Sequence, residues 1–490
     1  MENTLSGSTS ENRNPLRALA WLATCALALA ALYGCRAEPE AAAGIVLITV
    51  DTLRADYVGA YGAKNTATPH IDQLAREGIT FEHAVTPMPL TRPAHFSILT
   101  SRYPREHGVV NNALSLPSAA VTLAERFSEA GWATAGFTGV ALLSRASGAA
   151  QGFSVFSNPS PEQKHRRGVE VVDEALAWLK TIPRTQPYFL WVHLFDPHLP
   201  YEAKPTPGTA SALDGEYPVL SWRILREIAA TRDGDLPMEI VDHGLALYRR
   251  EVEYTDAQVG RLLAGIDRRS GSGNVVVAFT ADHGECFERR VFFEHADCLY
   301  RGATRIPLIL RDPAHFAPGT RARGPASSLD LAPTLLSIAG LAPLANASGS
   351  ALDSAEARSL QRNLLLEHPL YQPRVAQTRV RRAERIRSVG GVPLEPLLID
   401  EVGVGVVNEN YKYLRRGDRV DIFRTDALES EIPAAEQSAV AAELKAVLDA
   451  LLQAHPLVVI DPGEINAGLR ATLEALGYLV PAEDAGGAAP

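Results

Sequence analysis

At roughly 100–200 residues per domain, a chain of 490 residues is too long for one ordinary core and implies two or three domains. Its 46% hydrophobic and 21% charged residues are usual for a folded chain, and they exclude a disordered protein, a coiled coil and a multipass membrane protein. Fifty-seven acids against 47 bases leave a net charge of -10, which disfavours nucleic acid as a partner.

In chain order, Arg13 and Arg17 precede an uncharged apolar run from Ala18 to Tyr33 that stops at Gly34-Cys35. A basic start, a short apolar stretch and a small residue at its end make a secretory signal, and the run is shorter than the ~20 residues an anchor helix needs. Leu32-Tyr33-Gly34-Cys35 resembles the lipobox of bacterial lipoproteins, with Tyr33 where a small residue is usual. The resemblance implies an exported lipoprotein, periplasmic or outer-surface, anchored to a bacterial membrane by lipid on Cys35. Residues 1–34 are then the signal peptide and 35–43 a tether. The mature body keeps Cys286 and Cys298, which are either a disulfide, as an exported compartment permits, or two buried thiols.

The run Gly44–Val50 is continuously apolar and rich in β-branched residues, the mark of a strand buried on both faces in a parallel sheet. Helical and strand patterns then alternate. Helices are predicted over Thr68–Arg76, Val121–Ala130, Val169–Lys180, Leu245–Ile266 and Leu329–Ala339. Strands are predicted over Ala133–Thr138, Tyr188–Leu194, Val275–Thr280 and Arg305–Leu310. Such alternation predicts an α/β fold with a mostly parallel central sheet and helices on both faces, here a catalytic domain over 44–371. From about Gln372 the pattern changes. Strands at Val402–Val407, Tyr411–Leu414 and Val420–Phe423, followed by a helix at Ala434–Gln453, predict a small antiparallel α+β subdomain over 372–455. Residues 456–490 form a tail with one short helix, Leu469–Leu479.

In open α/β sheets ligands lie outside the carboxyl ends of the strands. Asp51 closes the first strand, and Asp282-His283-Gly284-Glu285 closes Val275–Thr280. Two strand-end carboxylates and an imidazole suit a divalent metal with mixed oxygen and nitrogen ligands.

Between them lies Pro87–Val109 (PMPLTRPAHFSILTSRYPREHGV). Its Thr91-Arg92-Pro93-Ala94-His95, followed by Thr100, Tyr103-Pro104 and His107-Gly108-Val109, resembles the nucleophile region of sulfatases. Ile45–Tyr61 (IVLITVDTLRADYVGAYG), Tyr188–Tyr201 (YFLWVHLFDPHLPY), Thr280–Glu285 (TADHGE) and Glu294–Pro307 (EHADCLYRGATRIP) extend the likeness in the family's order. The chain thus resembles the sulfatase branch of the alkaline phosphatase superfamily from Gly44 to about Gly340.

That resemblance implies a hydrolase of sulfate or phosphate esters acting on a small molecule, a glycan or a lipid. It makes Asp51, Asp282 and His283 ligands of a divalent ion (calcium, manganese or zinc) and Thr91 a nucleophile that also touches it. His198 and His295 are implied to act on the ester oxygens and the leaving group. The alternative is a second ion held by Asp196, His198 and His295. His95 stands where the family has Arg and is a further candidate, while His193 is expected behind the site. Arg92, Arg54 and Arg102 are candidate oxyanion clamps, although Arg54, in a post-strand turn, is placed to pair with Asp56 instead and Arg102 to be a helix C-terminal charge.

The departure at residue 91 matters most. Sulfatases oxidise Cys or Ser there to formylglycine, but the β-carbon of Thr bears a methyl group, so oxidation stops at a ketone. An unmodified Thr91 has to form a covalent ester and wait for water, the route of phosphate-transferring relatives, which favours phosphate esters. A transferase of the same fold and a metal-binding pseudoenzyme for an anionic glycan or lipid are the competing readings.

Overall fold

The computed structural model describes residues 42–205, 208–270, 275–288, 291–359, 361–369, 386–394, 403–425, 429–430, 432–460, 470 and 473. The expected signal, most of the tether, and nearly all of the short helix expected at Leu469–Leu479 lie outside these residues.

The main sheet is built from β1 (Gly44–Val50), β2 (Ile79–Val85), β3 (Ala133–Thr138), β4 (Val155–Ser157) and β5 (Tyr188–Leu194). To these are added β7 (Val275–Ala281), β10 (Arg305–Ile306), β11 (Leu308–Arg311) and β12 (Thr320–Ser327). The order is β10-β2-β11-β7-β1-β5-β3-β4, with β12 against β2. Every residue of β1, β5 and β7 is buried, as their unbroken apolar runs require. These three strands are parallel, and the register sets Val50 beside both Leu194 and Ala281. Asp51 and Asp282 therefore emerge next to each other at the carboxyl end of the sheet. The fold is the expected mostly parallel α/β sheet, with helices Pro69–Glu77, Thr91–Thr100, Leu123–Glu129, Gly168–Thr181, Met238–Ser270 and Leu331–Ile338.

Two details differ from expectation. The single strand expected at Arg305–Leu310 is split at Pro307 into β10 and β11, and both run antiparallel to their neighbours. Strands β2 and β12 have no counterpart in the sequence reading, because the charged and polar residues within them break an apolar pattern.

Smaller strands are β6 (Asp235–Leu236), the hairpin β8 (Cys286–Glu288) and β9 (Val291–Glu294), β13 (Leu364–Glu367), β14 (Ser388–Val389) and β15 (Val392–Pro393). The C-terminal part adds β16 (Val404–Val407), β17 (Tyr411–Arg416), β18 (Arg419–Arg424) and the helix Ala434–Ala454. The antiparallel sheet β13-β16-β17-β18 draws its first strand from ahead of residue 372. Leu444 and Leu448 of the helix pack on it with Leu365, Val406, Tyr413 and Ile422.

Candidate active site

Asp51, Asp282 and His283 converge at the carboxyl ends of β1 and β7, fully buried, with ligand atoms within 4.8 Å of one another. His283 Nε2 lies 3.8 Å from Asp51 Oδ1 and 3.4 Å from Asp282 Oδ2. Its Nδ1 bonds the Gly284 carbonyl oxygen at 2.9 Å, which aims Nε2 at the carboxylates. Asp282 Oδ1 accepts from the His283 N–H (2.7 Å) and the Thr52 N–H (3.3 Å). Thr52 adopts a left-handed φ of 51°, an uncommon conformation for a β-branched residue, and this turns its N–H to the carboxylate. Burial, and then the negative charge of Glu285, raises Asp51 well above the carboxylate range; burial and Asp51 do the same to Asp282.

Thr91 opens the helix Thr91–Thr100, where Pro93 is tolerated because first-turn N–H groups have no helical acceptor. Its Oγ1 is buried without a hydrogen-bond partner. So are both oxygens of Asp51, Oδ2 of Asp282 and Nε2 of His283. Buried polar atoms are seldom left unmatched, and so many within one site, all of them electron-pair donors, fit a cation.

His95 lies one turn beyond Thr91, and burial lowers its pKa to about 4. The neutral ring bonds the Thr91 carbonyl oxygen through Nδ1 (2.8 Å) and Thr49 Oγ1 through Nε2 (3.1 Å), with Asp282 Oδ2 3.5 Å from Nδ1. Thr49 also accepts from Trp191 Nε1 at 3.0 Å. His95 thereby touches both the helix start and Asp282. His193 lies behind Asp51, 3.6 Å from Oδ2.

His198 and His295 face one another with ring centroids 5.4 Å apart, and His295 stacks on His283 at 4.4 Å. Their protonation diverges. Burial and His295 bring His198 down to about 3. Burial works against a charge on His295, but Glu285, 3.2 Å from its Nδ1, together with Glu294 and Asp282, raises the imidazole. Glu285 lies inside the quoted TADHGE run, yet the sequence reading gave it no role. The disulfide Cys286–Cys298 resolves the open alternative for these thiols and ties the residue after Glu285 to the loop bearing His295.

Asp196 is a ligand only in the two-ion alternative. Its Oδ1 is held by Arg167 Nε (3.1 Å) and the Gly168 N–H (3.1 Å), and Arg167 also binds Glu251 at 3.0 Å. The structure does not gather Asp196, His198 and His295 as it gathers the first group; Asp196 Oδ1 meets the Arg167 guanidinium, and Oδ2 is buried without a hydrogen-bond partner. Arg167 stands in no motif, so only the tertiary structure reveals it. Arg92 donates to the Leu142 and Leu114 carbonyl oxygens, and Arg54 pairs with Asp56 at 2.8–2.9 Å and donates to the Glu285 carbonyl oxygen. Both guanidiniums thus serve structure. Arg102 follows Ser101, the left-handed C-cap of the Thr91 helix, as a charge at that end would.

A family model described as Sulfatase matches residues 44–341. The chain is 26% identical over 331 residues to an ulvan-active sulfatase of Formosa agariphila, and the match covers 61% of each chain. It is 24% identical to a delta 4,5-hexuronate-2-O-sulfatase of Bacteroides thetaiotaomicron, over 66% of this chain and 73% of that one. Among solved structures, a phosphonate monoester hydrolase of Agrobacterium radiobacter superposes with a TM-score of 0.64 at 18% identity, covering 85% of this chain and 96% of its own. A protein solved with D-glucosamine-2-N,6-O-disulfate reaches 0.65 at 18% identity, covering 84% and 97%.

Proposed function

The chain belongs to the sulfatase family, and we propose that it is a metal-dependent hydrolase of sulfate and phosphate esters that uses unmodified Thr91 as nucleophile and favours phosphate. The observation that carries this reading is the partnerless Thr91 Oγ1 at a helix start that His95 joins to Asp282, together with the partnerless donors of Asp51, Asp282 and His283. These four residues would hold one divalent cation; calcium, manganese and zinc are the candidates. When bound, such a cation supplies Lewis-acid polarisation of the ester and favours the alkoxide of a coordinated hydroxyl.

The chain's own groups supply the rest. Thr91 Oγ1, its proton released to solvent as the alkoxide forms, attacks phosphorus as the bond to the leaving oxygen breaks, and the helix N-terminus favours the negative charge that develops there. His295, whose pKa is raised with Glu285 beside its Nδ1, gives its proton to the leaving oxygen, while neutral His198 donates its Nδ1–H to the Leu199 carbonyl oxygen at 2.6 Å and keeps Nε2 as an acceptor. Water then displaces the Thr ester. The second step favours phosphorus because Thr cannot provide the hydrated aldehyde that expels sulfate by elimination. Sulfated or phosphorylated glycans are the proposed substrates, in keeping with the ulvan, hexuronate and glucosamine named for the relatives. Export with a lipid on Cys35 would place the enzyme where such polymers are met.

Turnover of an aryl sulfate, an aryl phosphate and a bis-aryl phosphate, metal by metal, tests the reading together with peptide mass spectrometry across Pro87–Arg102. The expected result is an unmodified Thr91 and faster turnover of at least one phosphate. A modified residue 91, or an aryl sulfate turned over faster than both phosphates, overturns it.

A further inference from the structure

A cavity of about 40 Å³ lies on the seam between the main sheet and the small C-terminal sheet. Its lining includes His83, Arg301, Thr304, Arg305, Lys412 and Glu429, four bases against one acid. None of Asp51, Thr91, Asp282 and His283 belongs to it. The Lys412 ammonium is matched, with Glu429 Oε1 at 2.7 Å and Thr304 Oγ1 at 2.9 Å. Arg305 is held differently. Its Nε and Nη2 both donate to the uncharged carbonyl oxygen of Glu82, at 3.0 and 2.7 Å. Of the nearby acids, the Glu82 carboxylate is engaged by Arg321, Asp56 by Arg54, and Glu429 by Lys412 and the Arg301 backbone N–H.

The like charges act on each other. Burial and then the charge of Arg301 lower Arg305 to about 10, and burial with Arg305 and Arg301 also lowers His83. Guanidiniums gathered in a partly enclosed space form a receptor for an oxyanion. Size narrows the class: one water occupies about 10–15 Å³ of such space, so the cavity holds roughly three waters or one tetrahedral oxyanion, and no sugar ring.

We propose that the cavity binds one inorganic tetrahedral oxyanion, sulfate or phosphate, between Arg301 and Arg305. The site is separate from the proposed catalytic centre and does not depend on that reading. It is mechanically linked to the centre, however. Gly284 donates to the Ala303 carbonyl oxygen at 2.8 Å and Thr86 to that of Thr304 at 2.9 Å, so the turn carrying Arg301 braces the His283–Glu285 run and the entry to Thr91. An anion seated there ties that turn down and stabilises the folded chain by mass action.

Equilibrium dialysis of the full chain against labelled sulfate or phosphate, after the protein has been stripped with EDTA, tests this. Stripping removes any cation that would draw the probe to the catalytic centre. One saturable site per chain is expected, unchanged in Thr91→Ala and weakened at least tenfold in Arg301→Gln and in Arg305→Gln. Glucose 6-sulfate should not compete. Absence of a saturable site, affinity unaltered in Arg301→Gln, loss of the site in Thr91→Ala, or competition by glucose 6-sulfate overturns the proposal. If either Arg variant fails to fold, His83→Gln in the same assay takes its place, with a several-fold loss expected and an unchanged affinity counting against the site.

Discussion

At the scale of single residues, the site separates groups that act from groups that hold them. Thr91→Ala should abolish turnover, whereas Thr91→Ser, which keeps the oxygen, should retain part of it. Asp51→Asn and Asp282→Asn each remove charge from the convergent set, so metal content by elemental analysis should fall below half an equivalent. Asp196→Asn should leave metal content unchanged, because that carboxylate faces Arg167. Loss of metal in Asp196→Asn would restore the two-ion alternative. His295→Gln removes the proposed proton donor, which Glu285 holds, and the cost should track the leaving group. Alkyl phosphate turnover should drop about 10²–10⁴-fold and nitrophenyl phosphate far less, so equal losses on both would deny His295 that role.

At the scale of elements, the loop after β7 is shaped by what packs against it. A Cβ on Gly284 would stand 2.0 Å from the Gly302 carbonyl oxygen, so Gly284→Ala has to push the loop off the turn Arg301–Thr304. The expected cost is about 1–3 kcal/mol in urea unfolding. A larger fractional loss of metal affinity should accompany it, because His283 moves with the loop. A variant as stable and as tightly metal-binding as the parent would show that this contact sets nothing. The sequence displayed the strand ends carrying Asp51 and Asp282, since unbroken apolar runs announce buried strands. It did not display β2, whose Glu82 and His83 interrupt the pattern, nor the reversal of direction at Pro307. Strand direction is set by partners distant in the chain.

At the scale of the whole molecule, the small C-terminal sheet is fastened to the segment leading into Thr91. Glu367 of β13 donates its N–H to the Pro87 carbonyl oxygen, and its carboxylate meets Arg105 Nε at 3.1 Å. Arg105 in turn donates to the Leu452 and His455 carbonyl oxygens. Burial outweighs Arg105 and raises Glu367 from 4.5 to about 7. A carboxyl group raised on folding contributes its stability fully below pH 4.5, and that contribution is lost as pH rises through 7. Wild type should therefore lose stability relative to Glu367→Gln between pH 4.5 and 8, by at most about 3 kcal/mol. Denaturation of both proteins across that range checks the sign. A difference that grows in favour of wild type would mean that the Arg105 ion pair dominates.

The order of the motifs, the buried strands and the residue types at positions 51, 91, 282 and 283 were all legible in the linear chain. Periodicity and motif spacing are local properties, and the family resemblance rests on them. Only the tertiary structure decided which of the remaining polar residues meet. Asp196 faces Arg167, Glu285 holds His295, and His95 backs the start of the Thr91 helix. Each pairing joins side chains whose meeting depends on sheet register or on loops packed from far along the chain. Whether a buried carboxylate faces a cation site or a guanidinium is a matter of a few ångströms, set by packing that no spacing rule encodes.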